Sequence, residues 1–244
     1  MNNHILHPHS ERFGHIAVAR TAMERRWLNW GVLWRRWFLR WLAGSGHTMK
    51  RAFDIIGSVA FLIAFSPLYL VLALLVKLGD RGPVLFGQTR VGRFGQEFQM
   101  YKFRSMRLNA EAELEKLLAQ NQHVQGVTFK MSDDPRITRV GKWLRRFSLD
   151  ELPQFFDVLK GAMSLVGPRP PTRREVSLYS LADRRRLAVK PGLTCFWQVG
   201  GRSNIDFSGQ VKLDVQYIET AGFWMDIKIL LQTLPAVLTG RGAA

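Results

Sequence analysis

The sequence predicts a mixed α/β, helix-rich chain in which a soluble body is attached to a membrane segment that enters and leaves by one face. Three observations predict it. An uncharged apolar run is broken at its midpoint by Ser66-Pro67, basic residues flank the run on both sides, and from Asp80 onward short strand and helix patterns are punctuated by glycine and proline. With 244 residues, 47% of them hydrophobic, the chain can bury one core of ordinary domain size with length to spare. Its formal charge of +16 implies a partner of opposite sign, whether nucleic acid, an anionic membrane or a phosphorylated substrate, and charge alone does not choose. Cys195 is the only cysteine, which excludes an intramolecular disulfide and a Cys-based zinc site. The six histidines show no metal-ligand spacing, so a reducing, cytosol-facing body is expected.

Residues 1–48 form the first region, a polar N-terminus followed by a tryptophan-rich stretch. The first 25 residues lack an apolar core, so no cleavable signal peptide is expected. Trp27, Trp30, Trp34, Trp37 and Trp41 recur at spacings of 3, 4, 3 and 4, which puts them on one face of a helix. Arg25, Arg36 and Arg40 lie on or toward the other side. Indoles favour the membrane interface and arginines the phosphate headgroups. An amphipathic helix on the cytoplasmic leaflet is therefore expected, with a coiled-coil seam as the alternative. Gly44-Ser45-Gly46 reads as a hinge.

Residues 49–80 form the membrane segment. The 22 residues from Ile55 to Val76 carry no charge and as a straight helix would reach roughly 33 Å, enough to span a bilayer core. Pro67 removes a helix hydrogen bond and kinks the axis, while the Ser66 hydroxyl can take up a freed backbone group. Arg35, Arg36, Arg40, Lys50 and Arg51 precede the segment, and Lys77, Arg81, Arg90 and Arg93 follow it. Basic flanks favour the cytoplasm at both ends, which a re-entrant helix satisfies and a single span does not.

Residues 81–244 form the body. VLFGQTRVGRFGQEFQMYKFRSM reads as two strands joined by a glycine-containing turn. Helices are expected over 109–121, 143–146, 150–160, 177–187 and 223–238, with short extended pieces around 191–193 and 199–201. In this basic chain the adjacent acids Asp150 and Glu151 stand out. Ser148-Leu149-Asp150-Glu151 fits the S-x-x-E capping box, but Pro153 would then fall where its missing N–H is needed, so Asp150 is the better cap. In either register the carboxylates sit at a helix N-terminus, which stabilises anions and lowers their pKa. The same position suits a nucleophilic carboxylate.

Six stretches in order, KRAFDIIGS with its Ser66-Pro67 break, YKFRSM, DPRITRVGKWLRRFSLDELPQ, MSLVGPRP, KPGLTCFWQVGGR and LDVQYIE, resemble the bacterial sugar transferase family, the monotopic phosphoglycosyl transferases. The resemblance covers about Met49 to the C-terminus. It implies a re-entrant helix in the bacterial inner membrane and a cytosolic catalytic body. The implied reaction moves a sugar-1-phosphate from a UDP-sugar to polyprenyl phosphate, releases UMP and starts assembly of a surface polysaccharide. It further implies Asp150 as nucleophile and Glu151 as a ligand of Mg2+. Lys102, Arg104 and Arg169 become the cations expected on the phosphates, and Arg202 and Asp214 candidates for nucleotide or sugar contact. Arg145 and Arg146 are expected toward headgroups or solvent. Departures from the family pattern are Cys195, where glycine is usual, and Asp157, where asparagine is usual; the large multi-span N-terminal region of some members is replaced by the tryptophan-rich segment.

A carboxylate can attack phosphorus covalently and divide a transfer between two anions into two steps, provided cations offset its repulsion from a diphosphate. The competing reading is a basic, membrane-anchored binding protein for anionic lipid or nucleic acid. Five of the eight tryptophans stand beside the membrane segment rather than along a basic stripe in the body, which speaks against a nucleic-acid partner. Homo-oligomerisation is left open. FWQVGGR resembles the pattern in family members that use UDP-glucose or UDP-galactose more than that in members using acetamido sugars, which implies a UDP-hexose.

Overall fold

The computed structural model describes residues 46–117, 127–128, 131 and 134–240; the helix expected over 27–41 lies outside them. Helix α1 (Gly46–Ala64) meets α2 (Ser66–Asp80) at a bend of 66°. The bend has a local cause. Pro67 stands in the first turn of α2, where its missing N–H costs least, and Ser66 Oγ donates to the Ile63 carbonyl at 3.0 Å. Among the described residues no single helix is long and apolar enough to cross a membrane, and this bent pair passes the same test only together. Both limbs leave large side chains uncovered, Ile63 at 70% and Leu70 at 74% exposed.

The basic flank of α1 does more than set charge, because it fastens the bent pair to the body. Lys50 Nζ lies 2.5 Å from Asp226, Arg51 donates to the carbonyls of Val158 and Leu159 at 2.6 and 2.7 Å, and Asp54 accepts from Ser164 Oγ and the Leu165 N–H, each at 3.0 Å. Phe61 stacks on Phe155 with ring centroids 4.0 Å apart.

Strands β1 (Leu85–Val91) and β2 (Glu97–Phe103) pair antiparallel from Leu85↔Phe103 to Val91↔Glu97, the hairpin expected from the sequence. Then follow α3 (Ala110–Leu117), α4 (Arg139–Arg146), a 3-10 turn at Leu149–Glu151 and α5 (Gln154–Lys160). Strand β3 (Ser164–Val166) pairs parallel with β4 (Gly192–Thr194), and α6 (Arg173–Ser177) lies in the crossover. The chain closes with α7 (Phe196–Gly200), α8 (Phe207–Thr220) and α9 (Phe223–Thr239). The result is helix-rich α/β with two small sheets. The main core gathers Met100, Phe155, Val158, Met163, Leu165, Val166, Tyr217 and Ile229.

Several expectations are corrected. Neither Ser148 nor Asp150 caps a helix: α5 starts only after Pro153, and no side chain caps it. The helix expected over 177–187 is instead α6 and a 3-10 turn at Asp183–Ala188. Ser180 and Asp183 bond to each other between them, and such local bonds compete with the helical ladder. Residues 196–200 are helical, not extended. Helix α8 carried no sequence signal because two of its buried positions are the polar Gln210 and Asp214, which breaks the apolar period.

Asp157 accepts the Tyr101 N–H at 3.0 Å and is 1% exposed. Burial, opposed by that bond and by Lys160, raises its pKa. An acid whose folded pKa is raised stabilises the fold fully only below its unfolded pKa, and that contribution is lost as pH rises through the folded value. Asp157→Asn keeps the acceptor without the charge. At pH 7 it should raise Tm by about 2–4 °C, with the gap closing as pH falls toward about 4; a Tm at or below that of the parent chain would contradict this.

Candidate active site

Asp150 and Glu151 stand on the 3-10 turn that follows Ser148, whose backbone is left-handed at φ 54. Such a conformation is rare for a residue with a side chain and is held only by its surroundings. Here Arg202, itself at φ 53, donates from Nη2 to Ser148 Oγ at 3.1 Å. The two left-handed residues thus brace one another, while Arg202 Nη1 is buried with no hydrogen-bond partner among the described residues.

Arg169 occupies the loop after β3, and that loop is tied on both sides. Gly167 N–H donates to the Thr194 carbonyl at 3.0 Å and Gly192 N–H to that of Pro168 at 2.9 Å. The approach needs glycine at both ends, because a Cβ on Gly192 would lie 2.0 Å from the Gly167 nitrogen. From the other side Arg90 Nη1 donates to the Pro170 carbonyl at 3.0 Å and Val91 N–H to that of Pro171 at 2.9 Å. Held this way, the Arg169 side chain keeps 38% of its surface open, places Nη1 3.3 Å from Glu151 Oε1, and sets its guanidinium 5.9 Å from the Trp197 ring centroid.

Asp150, Glu151, Lys102, Arg104, Arg169 and Arg202 all line one cavity of about 1460 Å³. Lys102 and Arg104 reach it from the end of β2. Further arginines line it that sequence reasoning missed, among them Arg145 and Arg90. Arg145 faces the cavity from the end of α4 rather than headgroups or solvent, and Arg90 supports the Arg169 loop. The signal for Arg145 was its short distance in sequence from Asp150 across a tight turn; Arg90 read only as membrane-flanking charge. Asp214 does not line the cavity. It is 1% exposed and ion-paired to the buried Arg186, which also donates to the Tyr179 hydroxyl at 3.0 Å.

The electrostatics reverse one expectation. Asp150 is 7% exposed, and burial, then the charge of Glu151, push its pKa up against the pull of Lys102, Arg145 and Arg169. The three-residue turn provides no helix dipole to lower it. Lys102 is pushed down to about 8, first by burial and then by Arg90, Arg145 and Arg169, with Asp150 opposing. Asp214 rises to about 6 because burial outweighs the pull of Arg186.

Among the described residues no group of three or more His, Cys, Asp or Glu side chains could hold a metal ion by itself. The cavity offers the adjacent carboxylates Asp150 and Glu151, of which Glu151 keeps 20% of its side chain open; a Mg2+ ion completed by phosphate oxygens and waters would need only one or two such groups.

Two adjacent carboxylates ringed by cations share one open cavity. The chain belongs to the bacterial sugar transferase family, whose model matches residues 45–240. It is 52% identical over 195 residues to the galactosyl transferase CpsE of Streptococcus agalactiae serotype III, covering 80% of this chain and 43% of that one. It is 45% identical over 202 residues to the undecaprenyl-phosphate galactose phosphotransferase of Salmonella typhimurium, covering 82% and 42%. The exopolysaccharide production protein ExoY of Rhizobium meliloti is 40% identical over 201 residues, covering 81% of this chain and 89% of that one. The chain therefore spans 43% and 42% of the first two relatives.

The lowered Lys102 pKa gives a pH prediction. In kcat/KM, which reports the free enzyme, an alkaline limb should appear near pH 8 as Lys102 loses its charge, and Lys102→Arg should move that limb up by more than about one pH unit because arginine stays charged. An unchanged limb in the variant would show that another group titrates.

Proposed function

We propose that this protein transfers a hexose-1-phosphate from a UDP-sugar to undecaprenyl phosphate, releases UMP, and so starts assembly of a surface polysaccharide. The observation that carries this reading is the placement of two adjacent carboxylates among Lys102, Arg145 and Arg169 in one cavity, in a chain whose relatives include one named for undecaprenyl phosphate and galactose.

In the first half-reaction an Asp150 carboxylate oxygen bonds to the sugar-bearing phosphorus of the diphosphate, and the bond from that phosphorus to the bridging oxygen breaks. The electron pair leaves with UMP. In the second, a phosphate oxygen of the lipid attacks the same phosphorus, the bond to Asp150 breaks, and the carboxylate is restored. Lys102, Arg145 and Arg169 offset the repulsion between attacking and attacked anions. Arg169 is held by its tied loop, so little reorganisation is needed when charge develops. Arg202 Nη1, without a hydrogen-bond partner among the described residues, is a donor for the nucleotide or its phosphates. Asp214, with Arg186 behind it, supports the fold under Trp197 rather than touching substrate. Mg2+ at Glu151, when bound, supplies positive charge to the diphosphate oxygens.

The bent pair of α1 and α2 suits a re-entrant segment that dips into the cytoplasmic leaflet and returns, which would hold the site at the height of lipid headgroups. In this reading the protein is monotopic in the inner membrane with its body in the cytoplasm.

Purified protein in detergent, given undecaprenyl phosphate, Mg2+ and a panel of UDP-sugars, should release UMP with UDP-galactose or UDP-glucose. Asp150→Asn should lower turnover by about a thousandfold and Glu151→Gln by at least about a hundredfold, with Tm preserved. EDTA should abolish turnover; full activity in EDTA would remove the metal from the reaction, and no UMP with any sugar would overturn the reading. For topology, Thr48→Cys and Lys77→Cys in a Cys195→Ser background should both resist a membrane-impermeant thiol reagent applied to spheroplasts, whereas labelling at one end only would show a span.

A further inference from the structure

The bend between α1 and α2 is bonded directly to the turn that carries the two acids. Backbone bonds run across the break, from Phe65 N–H to the Phe61 carbonyl at 2.9 Å and from Tyr69 N–H to the Phe65 carbonyl at 3.1 Å. Tyr69 thus stands where the first limb sets the second, and its side chain turns toward the body. The hydroxyl donates at 2.5 Å to the carbonyl of Leu152, the residue after Glu151 and 83 positions away in sequence. The ring packs 5.8 Å from that of Phe103 and edge-on at 6.3 Å from that of Phe156. Phe103 ends β2 directly after Lys102, and Phe156 lies in the first turn of α5. One side chain therefore touches the strand that brings the lysine, the turn that brings the acids and the helix that follows them.

A covered tyrosine hydroxyl generally finds some partner, but this one lands where the turn has least to hold it. Leu152 N–H reaches the Leu149 carbonyl only at 3.4 Å, Pro153 has no N–H to give, and no side chain caps α5. The Leu152 carbonyl accepts from Phe155 N–H at 3.1 Å, a local bond, and from Tyr69, which ties it to a distant part of the chain. Tyr69 does not line the cavity, so it can act on the reaction only through the turn. We infer that Tyr69 is a positioning residue: its hydroxyl tethers the Asp150–Glu151 turn to the helix bend and fixes the aim of Asp150 relative to Lys102. This rests on the proposed attack by Asp150 and adds the group outside the cavity that holds the attacking carboxylate in line. Small displacements of an attacking group are costly, since an error of about 1 Å lowers a rate by up to about a hundredfold.

Tyr69→Phe keeps the ring and removes only the tether. With UDP-sugar and no acceptor, its rate of UMP release should fall about tenfold or more, while the donor KM stays within about twofold of the parent chain because the cations that hold the diphosphate are untouched. Val76→Ala thins the core beneath α2 without removing a hydrogen bond to the turn; it should lower Tm by as much or more and leave the rate unchanged. An equal loss of rate in both variants, a loss in Tyr69→Phe carried by the donor KM, or an unchanged rate would make Tyr69 a purely structural residue and overturn the inference. A measurement independent of turnover is amide hydrogen exchange on the full chain in detergent. The peptide covering 148–155 should exchange about fivefold or more faster in Tyr69→Phe, with the peptides of β1 and β3 unchanged; equal protection over 148–155 in variant and parent would refute the tether. If the parent chain releases no UMP without acceptor, the covalent step of the proposed reaction fails. The split of kcat from donor KM in the full reaction, read with the exchange result, then still decides the role of Tyr69.

Discussion

Two carboxylates side by side in a buried turn repel one another, and the architecture around them is organised to make that tolerable. Asp150 is nearly covered, so desolvation and the charge of Glu151 both resist its ionisation, and Lys102, Arg145 and Arg169 oppose them. These cations come from three separate places in the chain: the end of β2, the end of α4 and the loop after β3. Each of those elements must be fixed for the charges to converge, which explains the glycine contact at Gly167 and Gly192, the Arg90 support of Pro170 and the left-handed pair Ser148 and Arg202. In the proposed reaction a diphosphate would meet several donors already in position, which would favour developing negative charge without further reorganisation.

The same body is fastened to the bent helix pair by polar contacts at the first turns of α1. Lys50, Arg51 and Asp54 each bind a different part of the body, while the outer faces of α1 and α2 remain apolar and uncovered. The segment is thus rigidly joined on one side and greasy on the other. A site built for anions and a surface suited to hydrocarbon are brought together within one unit, Met49–Ala244.

Much of this was legible in the sequence, for definite reasons. The Ser66-Pro67 break, the β1–β2 hairpin and the last helix rest on local signals: a missing N–H, alternating residues around glycine, and a long apolar period. The adjacent acids and the motif cations were found and do share one cavity. What was not legible depends on distant contacts. The capping reading of Asp150 failed because Pro153 and the left-handed Ser148 turn the chain before α5 begins. Its expected low pKa failed with it, since burial is a tertiary property. Arg145 and Arg90 looked like membrane-flanking charge because sequence shows sign but not direction. Asp214 could be read equally as a site aspartate or as a hydrogen-bonded structural group, because its partner Arg186 stands 28 residues away.

The central claim is that Asp150 itself carries the phosphosugar between donor and lipid. Intact-protein and peptide mass spectrometry after mixing the protein with UDP-sugar, with no polyprenyl phosphate present, tests it most directly. The account predicts one added hexose-phosphate on the peptide containing Asp150, absent from Asp150→Asn and removed when polyprenyl phosphate is added. An unmodified Asp150 peptide, with UMP appearing only when the lipid is present, would contradict it and favour direct transfer between the two bound substrates.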